Sequence, residues 1–208
     1  MIHHQHDQGS EEWLAARRGL ITGSMFKVAR DKLKSGGPSK QCQQYAMDLA
    51  RERCGGKSPD KFQSYHMRIG SEQEAVARAA YEAATGNLVE EVGFFADESG
   101  LWGLSPDGLI STDGVLEIKT LVSSDTLFTV LSDDDVSEYM DQCLGYLWML
   151  GREWVDLVAW VPDLEHIAIK RITKADYTGH IEALEKDLLE FAQTVRLYES
   201  KLRKVLAA

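Results

Sequence analysis

Asp107, Glu117 and Lys119 are the charged residues whose spacing offers chemistry in this sequence. Glu117 and Lys119 stand two apart in the β-type run Val115-Leu116-Glu117-Ile118-Lys119. In a strand both therefore leave one face while Leu116 and Ile118 leave the other. Asp107 lies upstream in Ser105-Pro106-Asp107-Gly108, and the hairpin between decides whether it joins them. A two-residue Asp113-Gly114 turn, the commonest reading of that pair, matches Ile110 with Glu117 and sends Asp107 to the opposite face. A three-residue loop, Thr112-Asp113-Gly114 with Gly114 left-handed, pairs Leu109 with Glu117 and Asp107 with Lys119. The second is expected, because it converges the three charges; a bulge would rescue the first.

Two carboxylates at one point repel, and burial makes their ionised forms costlier still, so the pair calls for a bound cation. Hard oxygen ligands favour Mg2+, with Mn2+ as substitute. Such an ion activates a water and neutralises charge growing on a phosphate. Lys119, as a fixed cation beside that water, can help position and deprotonate it.

Pro106-Asp107 followed by Glu117-Ile118-Lys119 resembles the PD-(D/E)xK nuclease signature. Wider matches run through most of the chain: Arg17-Arg18-Gly19-Leu20-Ile21-Thr22-Gly23-Ser24, Gly70-x-x-x-Glu74, Ser105-Pro106-Asp107-Gly108 and Met140-x-Gln142. In order and approximate spacing they are similar to the phage lambda exonuclease, or YqaJ-type viral recombinase, family.

That resemblance implies an α/β fold, a restriction-endonuclease-like core with a mixed central β-sheet flanked by helices. It implies metal ligation by Asp107, Glu117 and the Ile118 carbonyl, with Lys119 and Gln142 near the attacking water. Glu74 is implied as support for a second ion, directly or through water. Its other reading is the last member of a capping box, Ser71-x-x-Glu74. Arg17, Ser24 and Ser105 match positions that bind the 5′ phosphate of the digested strand. A guanidinium suits a terminal phosphate, whereas Ser24 is also readable as a helix cap and Ser105 as a turn former before Pro106. The implied activity is 5′-to-3′ digestion of one strand of linear double-stranded DNA, releasing 5′-mononucleotides and leaving a 3′ single strand for recombination by annealing. A ring-shaped homotrimer and a single-strand annealing protein are the implied partners.

The elements that must position these residues follow from periodicity and punctuation. Ser10-Glu11-Glu12-Trp13 starts a helix that Gly19 stops, and Thr22 or Ser24 caps a second through Met25 to Ala29. Further helices are expected from Gln43 to Arg53, Ser71 to Thr85 and Ser137 to Leu150. Leu88 to Ala96, Leu101 to Leu104, Gly108 to Ser111 and Val115 to Thr120 read as an antiparallel meander, and Trp154 to Val161 and His166 to Thr173 as two more strands. An apolar stripe from Ile181 to Val205 marks a long last helix, expected to lie on the sheet, with its end able to reach a neighbouring subunit.

Composition bounds the rest. With 44% apolar and 27% charged residues and no low-complexity stretch, a single nuclease domain over 1–208 is expected. The net charge of −10 is wrong for wholesale phosphate binding, so a nucleic-acid site must be a local basic patch. Arg17, Arg18, Lys27, Arg30, Lys32, Lys34 and Lys40 offer one, set against Asp133, Asp134, Asp135, Glu138 and Asp141. Cys42, Cys54 and Cys143 supply neither a disulfide framework nor a zinc or iron-sulfur site. His3, His4 and His6 read as a loose terminus. No apolar run approaches a membrane span and the opening residues do not form a signal peptide, so the cytoplasm, that of the host for a phage or prophage protein, is expected. Two other readings stand beside the exonuclease: an endonuclease or repair nuclease of the same superfamily, and an inactive DNA-end-binding module.

Overall fold

The computed structural model describes residues 1–6, 8–57 and 65–208. In chain order the elements are β1 (Ile2–His4), α1 (Glu11–Arg17), β2 (Ile21–Thr22), α2 (Phe26–Ala29), α3 (Lys40–Arg53), α4 (Tyr65–Thr85), β3 (Val89–Glu90), β4 (Phe94–Ala96) and β5 (Trp102–Leu104). There follow β6 (Gly108–Ile110), β7 (Gly114–Thr120), α5 (Ser124–Leu131), α6 (Ser137–Met149), β8 (Trp154–Val161), β9 (His166–Thr173) and α7 (Thr178–Leu206). They assort into two compact units, one of Met1–Lys61, Gly93–Ser105 and Gly179–Ala208, the other of Phe62–Val92 and Pro106–Thr178. Each unit is assembled from segments distant in sequence, so no linker composition marks its borders.

The first unit holds a four-stranded sheet in the order β1-β4-β5-β2, antiparallel except for the parallel β5/β2 pair. The expected loose terminus is therefore a strand. His3 stacks on Phe95 with ring centroids 4.4 Å apart, and its Nε2 accepts the Gly93 N–H. The expected strand from Leu88 to Ala96 is divided into β3 and β4, and Gly93 before β4 is required because a Cβ there would stand 2.1 Å from the His4 carbonyl oxygen. The apolar stripe of α7 is buried at Ile181, Leu184, Leu188, Phe191 and Val195, but Val205 is 72% exposed, so the stripe leaves the core before the helix ends. The partners along α7 include helices: Phe191 stacks on Tyr45 of α3 at 5.4 Å, and Asp187 receives Arg30 just past α2.

The second unit is built on a five-stranded mixed sheet, β3-β6-β7-β8-β9, antiparallel except for β7/β8. A single meander is thus corrected: of its strands, β4 and β5 pair with each other in the first unit, while β3, β6 and β7 belong to this sheet. Parallel strands cannot be joined by a tight turn, so β7 and β8 require a crossover, which α5 and α6 supply. Crossover and α4 cover the sheet from opposite faces. On the α4 face Ala77 and Tyr81 pack with Ile110, Leu116, Ile118, Val158 and Trp160. On the other, Leu121, Ala159 and Val161 pack with Leu127, Val130 and Leu131 of α5. Gly114 to Ile118 is buried throughout, as a strand covered on both faces must be.

Candidate active site

The site is made where β6 turns into β7 beneath α6. The pairs Gly108↔Leu116, Leu109↔Val115 and Ile110↔Gly114 leave a three-residue loop, Ser111 to Asp113. The loop has the expected length but begins one residue earlier. Ser111, at φ 50°, takes the left-handed position assigned to Gly114. Gly114 serves another purpose: a Cβ there would stand 2.3 Å from the Trp154 indole. The earlier loop shifts the register by two, so Asp107 lies across from Glu117 rather than Lys119. A shift of two preserves the face, and the three charges converge as expected. Gly108, directly after Asp107, is required because any Cβ would stand 2.2 Å from Val89 Cγ1 in β3.

Asp107 Oδ2 accepts the backbone N–H of Ile118 at 2.6 Å. Glu117, only 2% exposed, receives Lys119 Nζ on Oε1 at 2.6 Å and the Tyr146 hydroxyl on Oε2 at 2.6 Å. Lys119 Nζ also donates to Gln142 Oε1 at 3.1 Å and lies 5.3 Å from the Tyr139 ring centre. Asp107, Glu117, Lys119 and Gln142 are thus brought together on the face that α6 covers. The Ile118 side chain points into the core of the other face, leaving its peptide groups as its contribution here.

The electrostatics are those of crowded acids. Burial, then the charges of Glu117 and Glu74, hold the Asp107 carboxyl well above its ordinary value, against the pull of Lys119 and the Ile118 N–H. Burial works to lower Lys119, but Glu117 and Asp107 outweigh it and keep the ammonium charged. Burial, then Glu117, pushes the Cys143 thiol up, so it stays protonated.

Glu74 is freed from its alternative reading. Helix α4 begins at Tyr65, so Ser71 is an interior residue and not a cap. An i,i+4 pair, Arg68 Nη1 to Glu72 at 3.2 Å, spans the Gly70 that local signals read as outside the helix. Glu74 Oε1 instead accepts Arg78 Nη2 at 2.8 Å, and Arg78 also pairs with Glu91. Burial, assisted by Glu91 and Glu117, raises the Glu74 carboxyl despite Arg78. Among the described residues no group of three or more His, Cys, Asp or Glu forms a ready metal cluster. The carboxylates are turned to Lys119, Tyr146, the Ile118 N–H and Arg78.

Arg17, Ser24 and Ser105 lie in the first unit. The Arg17 guanidinium stacks 4.0 Å above the Trp13 ring. Thr22 and Ser24 do not cap the next helix: Gly23–Met25 is a 3-10 turn, Thr22 makes no side-chain cap bond, and the exposed Ser24 falls inside the turn. The Thr22 N–H is held at 3.2 Å by the Tyr45 hydroxyl. Gly19 is gripped from both sides, its N–H by Glu52 Oε2 at 2.7 Å and its carbonyl by Arg53 Nε at 2.7 Å. Of the basic run, Arg30 and Lys32 are spent on Asp187, at 2.7 Å each, while Arg18, Lys27, Lys34 and Lys40 are exposed. In the acidic cluster Asp134 pairs with Lys170 at 2.7 Å, in the loop between α5 and α6. The three cysteines are free thiols. No helix among the described residues is long and apolar enough to cross a membrane.

Tyr146, Arg78, Glu91, Tyr45 and the Glu52–Arg53 clamp emerge only from the tertiary structure. Two of these had a usable signal: Tyr146 is four residues beyond Gln142 and Arg78 four beyond Glu74, the spacing that stacks side chains on one helix face.

A mixed sheet with helices on both faces, carrying paired carboxylates and a lysine on one hairpin, has the fold of the restriction-endonuclease-like nucleases. The YqaJ-like viral recombinase domain matches residues 12–153, more than half of the chain, and the chain belongs to that family. It is similar to the crystal structure of an alkaline exonuclease from Laribacter hongkongensis, with 30% identity and a TM-score of 0.80 over 95% of this chain and 98% of that one. The same enzyme in complex with dAMP matches at 29% identity and a TM-score of 0.81, with the same coverage. A phage related exonuclease from Haemophilus somnus 129PT shares the fold, at 12% identity and a TM-score of 0.70 over 90% of this chain and 96% of that one. Among curated proteins none matches. Family and homologues support a recombination-related exonuclease.

Proposed function

We propose that the chain is a magnesium-dependent 5′-to-3′ exonuclease that digests one strand of linear double-stranded DNA, releasing 5′-mononucleotides and leaving a 3′ single strand for recombination by annealing. The observation that carries this reading is the convergence of Asp107, Glu117, Lys119 and Gln142 on one sheet face. The Laribacter homologue is described in complex with dAMP, a deoxynucleoside monophosphate and so the class of product this reading expects.

The donor set fits a hard divalent cation: two carboxylates, one raised well above its ordinary value by burial and its acidic neighbours, beside a strand carbonyl. Asp107, Glu117 and the Ile118 carbonyl would hold Mg2+, or Mn2+ in its place, and Glu74 would support a second ion. A bound cation supplies Lewis acidity and neutralises charge developing on the scissile phosphate. Lys119, already hydrogen-bonded to Glu117 and Gln142, orients the attacking water and accepts a share of the developing negative charge. Arg17, Ser24 and Ser105 bind the 5′ phosphate, Arg17 with a planar fork of donors. The subunits assemble as a homotrimer ring with a negative outside, consistent with the net charge of −10, and a single-strand annealing protein takes the exposed 3′ strand.

End-labelled linear duplex and covalently closed circles, incubated with Mg2+ or with chelator, test the reading. Mononucleotides should appear from 5′ ends of the linear form only, and only with metal. Cutting of the closed circle, or release beginning at 3′ ends, overturns it; equal release by Asp107→Ala removes the assigned site.

A further inference from the structure

Glu117, Tyr146, Gln142 and Lys119 form a closed ring of hydrogen bonds whose direction is dictated at every link. An ammonium only donates, so the Gln142 atom facing Lys119 at 3.1 Å is its carbonyl oxygen. The Gln142 amide nitrogen therefore faces Tyr146, to whose oxygen it donates at 2.8 Å. That oxygen is an acceptor at this link, so its single proton is given to Glu117 Oε2, at 2.6 Å. Glu117 Oε1 receives Lys119 at 2.6 Å and closes the ring. Tyr146 has no solvent exposure and Glu117 is 2% exposed, so water does not replace a missing partner.

From this ring we infer that Tyr146 is the positioning residue of Glu117: its hydroxyl holds Oε2 and leaves Oε1 as the oxygen that Glu117 offers to a cation. The inference rests on the reading of Glu117 as a metal ligand. A phenylalanine would fill the same space, yet it would leave Glu117 Oε2, shut off from water, without its partner and would take from the half-buried Gln142 amide its acceptor. Free to turn about its last bond, Glu117 would present either oxygen, and the arrangement with Asp107 would no longer be preset. Gln142 gains a second role. Because it gives Lys119 another acceptor, the ammonium can leave Oε1 without losing its place in the site.

The test is Mn2+ binding measured by calorimetry without DNA, on the parent, Tyr146→Phe, Gln142→Leu and Glu117→Gln, with thermal unfolding recorded alongside. Tyr146→Phe should weaken Mn2+ binding about tenfold, the lower end of what losing a partner of a ligating carboxylate commonly does. The Mg2+ concentration for half-maximal nuclease activity should rise by a similar factor, while kcat at saturating Mg2+ changes far less. A folded Tyr146→Phe with the parent's Mn2+ affinity overturns the inference. Should that variant fail to fold, Gln142→Leu decides: weaker Mn2+ binding supports the ring, and unchanged binding overturns it. If Glu117→Gln retains the parent's affinity, the ligand reading itself falls. If Glu117→Gln loses affinity and Tyr146→Phe does not, only the positioning role falls.

Discussion

Asp107 Oδ2 accepts the N–H of Ile118 at 2.6 Å, so the residue that precedes β6 grips the backbone of the one residue lying between Glu117 and Lys119. Folding forces acids together here at a cost, and that cost is measurable.

Asp107→Asn should stabilise the metal-free protein at neutral pH. Burial first, then Glu117 and Glu74, hold the Asp107 carboxyl above its ordinary 3.8, so the fold prefers the protonated form. Its contribution is fully present below 3.8 and is lost as pH rises through the raised folded value. With chelator present, the Tm of the parent should therefore fall relative to Asp107→Asn as pH rises above 3.8. Parallel Tm profiles would show that Asp107 is not strained.

Divalent cation should reverse that deficit. Binding to the folded form alone adds about 2.7 kcal/mol at a concentration one hundred times Kd. Thermal unfolding with increasing Mg2+ should show a rising Tm for the parent and none for Glu117→Gln.

Arg17→Ala and Lys119→Ala should fail differently. Loss of the Arg17 guanidinium, stacked on Trp13, should erase the preference for 5′-phosphorylated over 5′-hydroxyl duplex ends. Loss of Lys119 should lower kcat on both ends by about 10²- to 10³-fold, the range for losing one donor that stabilises developing negative charge. Steady-state rates on the paired substrates separate the two; a preserved end preference in Arg17→Ala removes it from the phosphate pocket.

Asp156 is a second buried carboxylate and should prove structural. It is 1% exposed and accepts Arg171 at 2.8 Å on each oxygen and the Tyr81 hydroxyl at 2.6 Å, on the α4 face of the sheet. Asp156→Ala leaves the Tyr81 hydroxyl buried without its acceptor and should cost about 1–3 kcal/mol in chemical denaturation. Nuclease activity per folded molecule should hold, and a large fall in kcat would place Asp156 in the chemistry.

Much of the site was legible because it depends on local rules. Glu117 and Lys119 share a face whatever strand lies beside β7, and the hairpin length that brings Asp107 to the same face was found from the need to converge the charges. The register was not, because Ser111 adopts a left-handed conformation that Gly114 more commonly takes, while Gly114 is required by Trp154 from a strand 40 residues away. The Ser71–Glu74 pattern misled for a related reason. A capping box is a local signal, and the helix continued through it to Tyr65.

Local sequence is thus enough to put two carboxylates and a lysine on one face of a buried hairpin, because side-chain alternation is a property of covalent geometry. Who holds them is a matter of packing. It sent β4 and β5 to another sheet, turned Glu74 to Arg78 instead of a cap, and laid α6 over β7 so that Tyr146 meets Glu117, 29 residues away along the chain. Such partners are selected by which faces must be buried together, and that selection is a property of the whole packed unit.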